Sequence, residues 1–336
     1  MKIRMRTAVA VLAALALAAA GPVALTQASG NDDHGTPMPK TTKVFTLDPS
    51  TLGNNPEGVA WDSRSKSFFV GTVGTGTIYR ATLRDTTLRP FITPDPAAPA
   101  DSAIGMKVSG GKLYVAGGPT GSIYVYQIKT GALLARFETG TGGFLNDLVV
   151  TRRGDVYVTD SFRAILWHLT PAMVAAGTGV PGSIGVGPEI AYTAGQFNLN
   201  GIVARHGGRE LIVVNSFSKS LFRIDLEPAV RKITKIDAPE LAGDGLLIDR
   251  GKLLVVVGSP ASVTVLELSR HDSRARAVEV LTDTSLRGPA TIARAEDRYL
   301  VVNAAFGQPT PYTVSAIPRH HGDHDRDHGD HGDGHR

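Results

Sequence analysis

The chain has no cysteine among its 336 residues. That excludes a disulfide framework and any thiolate metal site, so a fold of this size must be held by burial. Long apolar runs are missing beyond Ala8 to Ala20; no later segment offers the roughly 20 apolar residues a spanning helix needs. Excess positive charge is also missing. The formal net charge is +4, but Lys2, Arg4 and Arg6 supply three of those charges, and +1 remains without them. With no basic patch interleaved with aromatics, nucleic-acid binding is excluded. No GxSxG is present, and His168, His206 and His271 fall in outer-strand or loop positions without a paired serine. A serine triad is therefore not expected.

What is present begins with a leader. Lys2, Arg4 and Arg6 precede an apolar stretch of secretory length, and Thr26-Gln27-Ala28 offers a small-residue cleavage site. Residues 1–28 read as a signal peptide and 29–41 as a flexible polar arm, with export as the expected destination. At the other end, residues 319–336 carry six of the ten histidines among interleaved aspartates. This tail cannot bury a core and reads as disordered, with weak transition-metal binding as its functional reading.

Between them, residues 42–318 repeat. The stretch Pro56-Glu57-Gly58-Val59-Ala60-Trp61-Asp62 returns five times, with Gly58 matched by Gly105, Asp147, Gly201, Gly245 and Ala290 at steps of 47, 42, 54, 44 and 45 residues. Each unit continues with an apolar second strand, such as Phe68-Phe69-Val70 or Leu253-Leu254-Val255, after turn residues such as Gly110-Gly111. An alternating third strand follows. Five units add a fourth: Leu88 to Ile92, Leu133 to Glu138, Glu189 to Thr193, Arg231 to Ile236 and Ala277 to Leu281. The sixth lacks one, and Lys43 to Leu47 is left over at the start. A six-bladed, all-β propeller with four-stranded blades, closed by pairing this first strand into the last blade, accounts for both facts. A β-solenoid has shorter repeats and needs no missing strand. Pro171 to Pro188 reads as an insertion in the third unit, with helical turns at Pro171 to Ala176. Its formal GxGxxG, Gly177 to Gly182, has no strand-then-helix context and contains Pro181, so it reads as a flexible loop.

Immediately before the six matched positions stand Glu57, Ile104, Asn146, Asn200, Asp244 and Pro289. First strands of propeller blades line a central channel, so Glu57, Asn146, Asn200 and Asp244 are expected to face one space. Two carboxylates and two carboxamides form a hard oxygen set of formal charge −2. It suits a divalent cation, Ca²⁺ first and Mg²⁺ or Mn²⁺ as alternatives. A water-filled channel with no specific metal is the competing reading.

Glu57-Gly58-Val59-Ala60-Trp61, Asn146-Asp147, Asn200-Gly201-Ile202 and Asp244-Gly245-Leu246-Leu247-Ile248-Asp249 resemble the signature strands of the gluconolactonase, senescence-marker-protein and luciferin-regenerating-enzyme family. The resemblance implies that Glu57, Asn200 and Asp244 ligate the metal, that Asn146 lines the substrate pocket beside it, and that Asp244 transfers the proton. One position departs. Where the sugar-lactonase members carry an arginine against substrate hydroxyls, this chain has Phe144, which favours a more apolar lactone or ester. The function expected is a secreted, metal-dependent lactone or ester hydrolase acting on a small molecule. It is expected to be a monomer with no nucleic-acid partner and, once the leader is removed, no membrane. The alternatives are a non-catalytic binding propeller with structural Ca²⁺ and a redox-metal protein supplied by the tail.

Overall fold

The computed structural model describes residues 41–94, 102–226 and 232–319. The leader, all of the arm but Thr41, and all of the histidine-rich tail but Arg319 lie outside those residues. Strands fill most of the rest, in units that begin with an inner strand: Pro56–Asp62, Met106–Ser109, Leu145–Val150, Leu199–Arg205, Gly243–Asp249 and Pro289–Ala295. Each pairs antiparallel with a second strand that is almost wholly apolar. The composition follows from burial on both faces. Phe68, Phe69, Val70, Val213, Val255 and Val301 are all fully enclosed.

Third and fourth strands complete four separate four-stranded sheets. The first and last units are joined in one eight-stranded sheet, with Lys43–Leu47 between them. This strand runs antiparallel to Thr313–Pro318, with Lys43 opposite Ala316 and Thr46 opposite Thr313. Its other edge meets Thr87–Ile92 in parallel at Thr46 and Leu47. The strand left over in the sequence thus occupies the place where the sixth unit has none of its own.

The units pack face to face over a series of buried clusters. One holds Phe45, Phe68, Leu88, Leu300 and Val314 between the last and first units. Another holds Tyr157, Leu166, Leu199 and Leu211 between the third and fourth. Each inner strand touches the next, and Pro289–Ala295 touches Pro56–Asp62. The approach is close enough to require glycine: a Cβ on Gly58 would lie 1.8 Å from the Ile104 carbonyl oxygen, and one on Gly201 would lie 2.2 Å from that of Asp244.

Two expectations are corrected. The fourth strand of the third unit is Gly182–Gly185, paired with Ile165–Leu169, and not Glu189 to Thr193. It begins on the last glycine of the formal GxGxxG, after a helix at Pro171–Ala176 capped by Thr170 and Gly177. An outer strand exposed on one edge needs only its backbone to pair, so Gly-Ser-Ile-Gly carries no apolar signature. The second correction concerns phase. The ladder of the last unit breaks between Pro289 and Ile292, as the first breaks between Pro56 and Val59. Ala290 therefore matches Glu57, and Thr291 matches Gly58, one residue later than the sequence suggested.

Candidate metal centre

The ladder irregularity is what presents the site. Breaks fall at Glu57-Gly58, Asn146-Asp147, Asn200-Gly201, Asp244-Gly245 and Ala290-Thr291. Each places two inner-strand residues opposite one partner, a β-bulge that re-aims side chains. Four of the five first-of-pair residues carry an oxygen.

Those oxygens lack partners. Glu57 Oε2, Asn146 Oδ1, Asn200 Oδ1 and Asp244 Oδ1 are enclosed and accept no hydrogen bond within the protein. Glu57, Asn146 and Asn200 are 6, 4 and 7% exposed, and Asp244 is partly open although its Oδ1 is not. The amide groups are meanwhile anchored. Asn146 Nδ2 donates to Ser161 Oγ at 2.9 Å, and that hydroxyl donates to the Leu199 carbonyl at 2.6 Å. The Asn200 side chain hydrogen-bonds Asp244. Thr291 Oγ1 donates to the Glu57 carbonyl at 2.5 Å and ties the last inner strand to the first. With the amide nitrogens engaged, the four oxygens are the groups left without a partner. Buried acceptors normally find a donor; four that do not, on successive bulges, form an empty-handed acceptor set that fits a cation.

The electrostatics agree. Burial, then the nearby charge of Asp147, pushes the Asp244 carboxyl up to about 7. Burial, then Asp244 and Asp147, raises Glu57 well above the carboxylate range. Asp147 itself is 1% exposed but has partners: Lys107 Nζ at 3.0 Å and the Leu148 amide at 2.8 Å, both on Oδ1. Counting three carboxylates against one lysine leaves a formal −2, which one divalent cation neutralises. Lys107 also lines a cavity of about 390 Å³ that extends to Arg205, His206 and Leu246.

Phe144, two residues before Asn146, is half-buried. Its amide donates to Asp160 Oδ1 at 3.0 Å, as does the amide of Phe162 at 3.1 Å. Its ring meets Phe162 at 5.6 Å and Phe197 at 5.0 Å, and those two meet each other at 5.1 Å. Sequence reasoning missed Asp147, Lys107, Phe162 and Phe197. Signals existed: Asp147 interrupts a column of glycines, and Asp160-Ser161-Phe162 recurs as Asn215-Ser216-Phe217.

Among the described residues, the histidines lie elsewhere. His168 pairs with Asp155 at 2.9 Å and stacks on Tyr157. His206, Glu210 and Asp272 cluster closely enough to hold an ion. However, Arg205 takes both Asp272 oxygens at 2.9 and 3.0 Å, and Arg223 faces Glu210 at 3.8 Å, so cationic side chains already balance that cluster.

The same fold is found in a gluconolactonase from Xanthomonas campestris, at a TM-score of 0.59 and 16% identity over 82% of this chain and 89% of that one. The calcium-binding protein regucalcin of Agrobacterium tumefaciens follows at 0.60 and 15%, over 80 and 93%. This is the gluconolactonase and regucalcin fold, a β-propeller. Luciferin-regenerating enzyme is similar too, at 0.58 and 13% over 82 and 95%. These neighbours are the family that the four motifs resemble. Virginiamycin B lyase from Staphylococcus aureus matches at 0.54 and 11% over 83 and 99%, so one fold carries different reactions. No protein-family model matches the chain, and no curated protein matches it in sequence.

Proposed function

We propose that this chain is an exported, six-bladed propeller, closed through Lys43–Leu47, that hydrolyses a lactone or related ester with a divalent cation in its channel. The carrying observation is the set of four unpartnered oxygens on Glu57, Asn146, Asn200 and Asp244. These residues would hold the cation, Ca²⁺ in the first instance, since all four donors are hard oxygens. When bound, it supplies Lewis acidity that polarises an ester carbonyl.

The residues around it have separate tasks. Ser161 fixes the Asn146 amide so that its oxygen faces the channel. Asn200 hydrogen-bonds Asp244 and holds its carboxylate in place. Asp244 is the carboxylate assigned to proton transfer with the attacking water. Phe144 shields the mouth from bulk solvent and replaces a group that would bind sugar hydroxyls. That replacement also favours a second reading, a binding propeller in which the ion only rigidifies the channel.

Elemental analysis of purified protein, followed by a lactone and ester panel with and without chelator, separates the two. Hydrolysis that chelator removes and Ca²⁺ restores is expected. Asp244→Ala should abolish both Ca²⁺ binding by calorimetry and turnover; full activity in that variant would sink the assignment. Ca²⁺ stabilisation without turnover of any ester supports the binding reading.

A further inference from the structure

Three phenylalanine rings from two separate units meet one another, and nothing in the hydrolytic chemistry requires them. Phe144 precedes Asn146 by two residues, and Phe197 precedes Asn200 by three. Phe162 directly follows Ser161, the hydroxyl that orients Asn146. The rings therefore sit on the same short backbone segments that carry two of the four channel oxygens.

Their placement is built and not incidental. The enclosed Asp160 carboxylate takes the amides of Phe144, Phe162 and Arg163 on one oxygen. On the other it takes Arg163 Nε at 2.7 Å and Trp167 Nε1 at 3.1 Å. From the adjoining loop, Asn198 Nδ2 donates to the Ser161 carbonyl at 3.1 Å and brings Phe197 alongside. Pairwise ring distances of 5.0 to 5.6 Å are those of a packed aromatic cluster. Yet Phe162 remains 40% exposed, and Phe144 and Phe197 are only partly covered. The neighbouring cation is engaged: Arg163 also donates to the Thr139 carbonyl and hydroxyl at 2.9 and 3.0 Å and lies over Trp167. Its guanidinium is taken up by these protein contacts.

We infer that Phe144, Phe162 and Phe197 form a recess for the uncharged, apolar arm of the ligand whose carbonyl enters the channel. The inference rests on the ester-hydrolase reading for that carbonyl. The ligand class it names is an alkyl- or aryl-substituted lactone or ester, not a sugar lactone. Phe162 and Phe197 become specificity-determining residues alongside Phe144.

The test uses γ-lactones bearing straight alkyl chains of increasing length, with the matching non-hydrolysable lactams, on the Ca²⁺-loaded full chain. Calorimetric affinity for the lactams and kcat/KM for the lactones should each rise about fourfold per buried methylene until the recess is full. Phe162→Ser should flatten that gradient, and Phe162→Leu should keep most of it. Phe217→Ser, also on an exposed ring but outside the cluster, should leave it intact. The melting temperature of Phe162→Ser establishes that it folds. Lactam affinity that ignores chain length, or a gradient that Phe217→Ser flattens equally, overturns the recess. If no lactone is turned over while lactam affinity still climbs, the hydrolase reading fails and the recess stands.

Discussion

Asp147 stands where Gly58, Gly105, Gly201 and Gly245 stand in other units, and it brings a buried carboxylate within reach of Glu57 and Asp244. Lys107, from the preceding inner strand, answers it at 3.0 Å. Without Asp147, nothing at 3.0 Å would balance the lysine's charge against that of a bound cation. Asp147→Asn should therefore weaken Ca²⁺ binding by at least about tenfold, and adding Lys107→Met should recover most of that loss. A calorimetric double-mutant cycle reads the coupling; a double variant no better than the single one would make the pair merely structural. The acids also set a pH response. In the cation-free protein Glu57 and Asp244 hold protons more tightly folded than unfolded, because burial raises both. The stability they allow below their unfolded values is lost as pH rises through their folded ones. Each such group costs about 1.4 kcal/mol per pH unit across that interval. A Ca²⁺ ion held by these carboxylates would displace those protons, so its effect on the melting temperature should be larger at about pH 8 than at about pH 5. Equal shifts at both would show that these carboxylates are not the ligands.

At the scale of the strand, the bulge is the device that matters. The break at Glu57-Gly58 sets two inner-strand residues opposite one partner, which re-aims the Glu57 side chain relative to a straight strand. Gly58→Ala would force a Cβ against the Ile104 carbonyl. Overpacking against backbone should cost about 3 kcal/mol or more, read as a lowered urea midpoint. Second strands such as Phe68-Phe69-Val70 were legible in the sequence because two covered faces demand an unbroken apolar run. So were the bulge positions of Glu57, Asn146, Asn200 and Asp244, where a polar residue interrupts that habit, three times just before a glycine. The last bulge was not: Pro289-Ala290-Thr291 has neither the oxygen nor the glycine, and only the hydrogen-bond ladder fixes its phase. Gly182–Gly185 was hidden for the opposite reason, since an outer edge pairs through backbone alone. Lys107 and the phenylalanine cluster were out of reach because their partners lie on other units, which periodicity within one unit does not report.

For the whole molecule, the eight-stranded sheet joins what sequence keeps farthest apart. Phe45 is fully buried, with its ring edge-on to Phe68 at 5.0 Å, in a cluster that includes Leu300 and Val314. Phe45→Ala should cost about 3–5 kcal/mol, visible in denaturant unfolding as a loss far larger than truncating exposed Leu133 would give. A loss no greater than that at Leu133 would mean that Lys43–Leu47 contributes little to holding the first and last units together. The same arrangement imposes an order in time. Ribosomes add roughly 5–20 residues per second, so Lys43–Leu47 emerges on the order of tens of seconds before Thr313–Pro318 exists to pair with it. Its antiparallel edge stays open throughout synthesis, a standing invitation to other strands. The earliest of the described strands has one edge that is among the last to be secured.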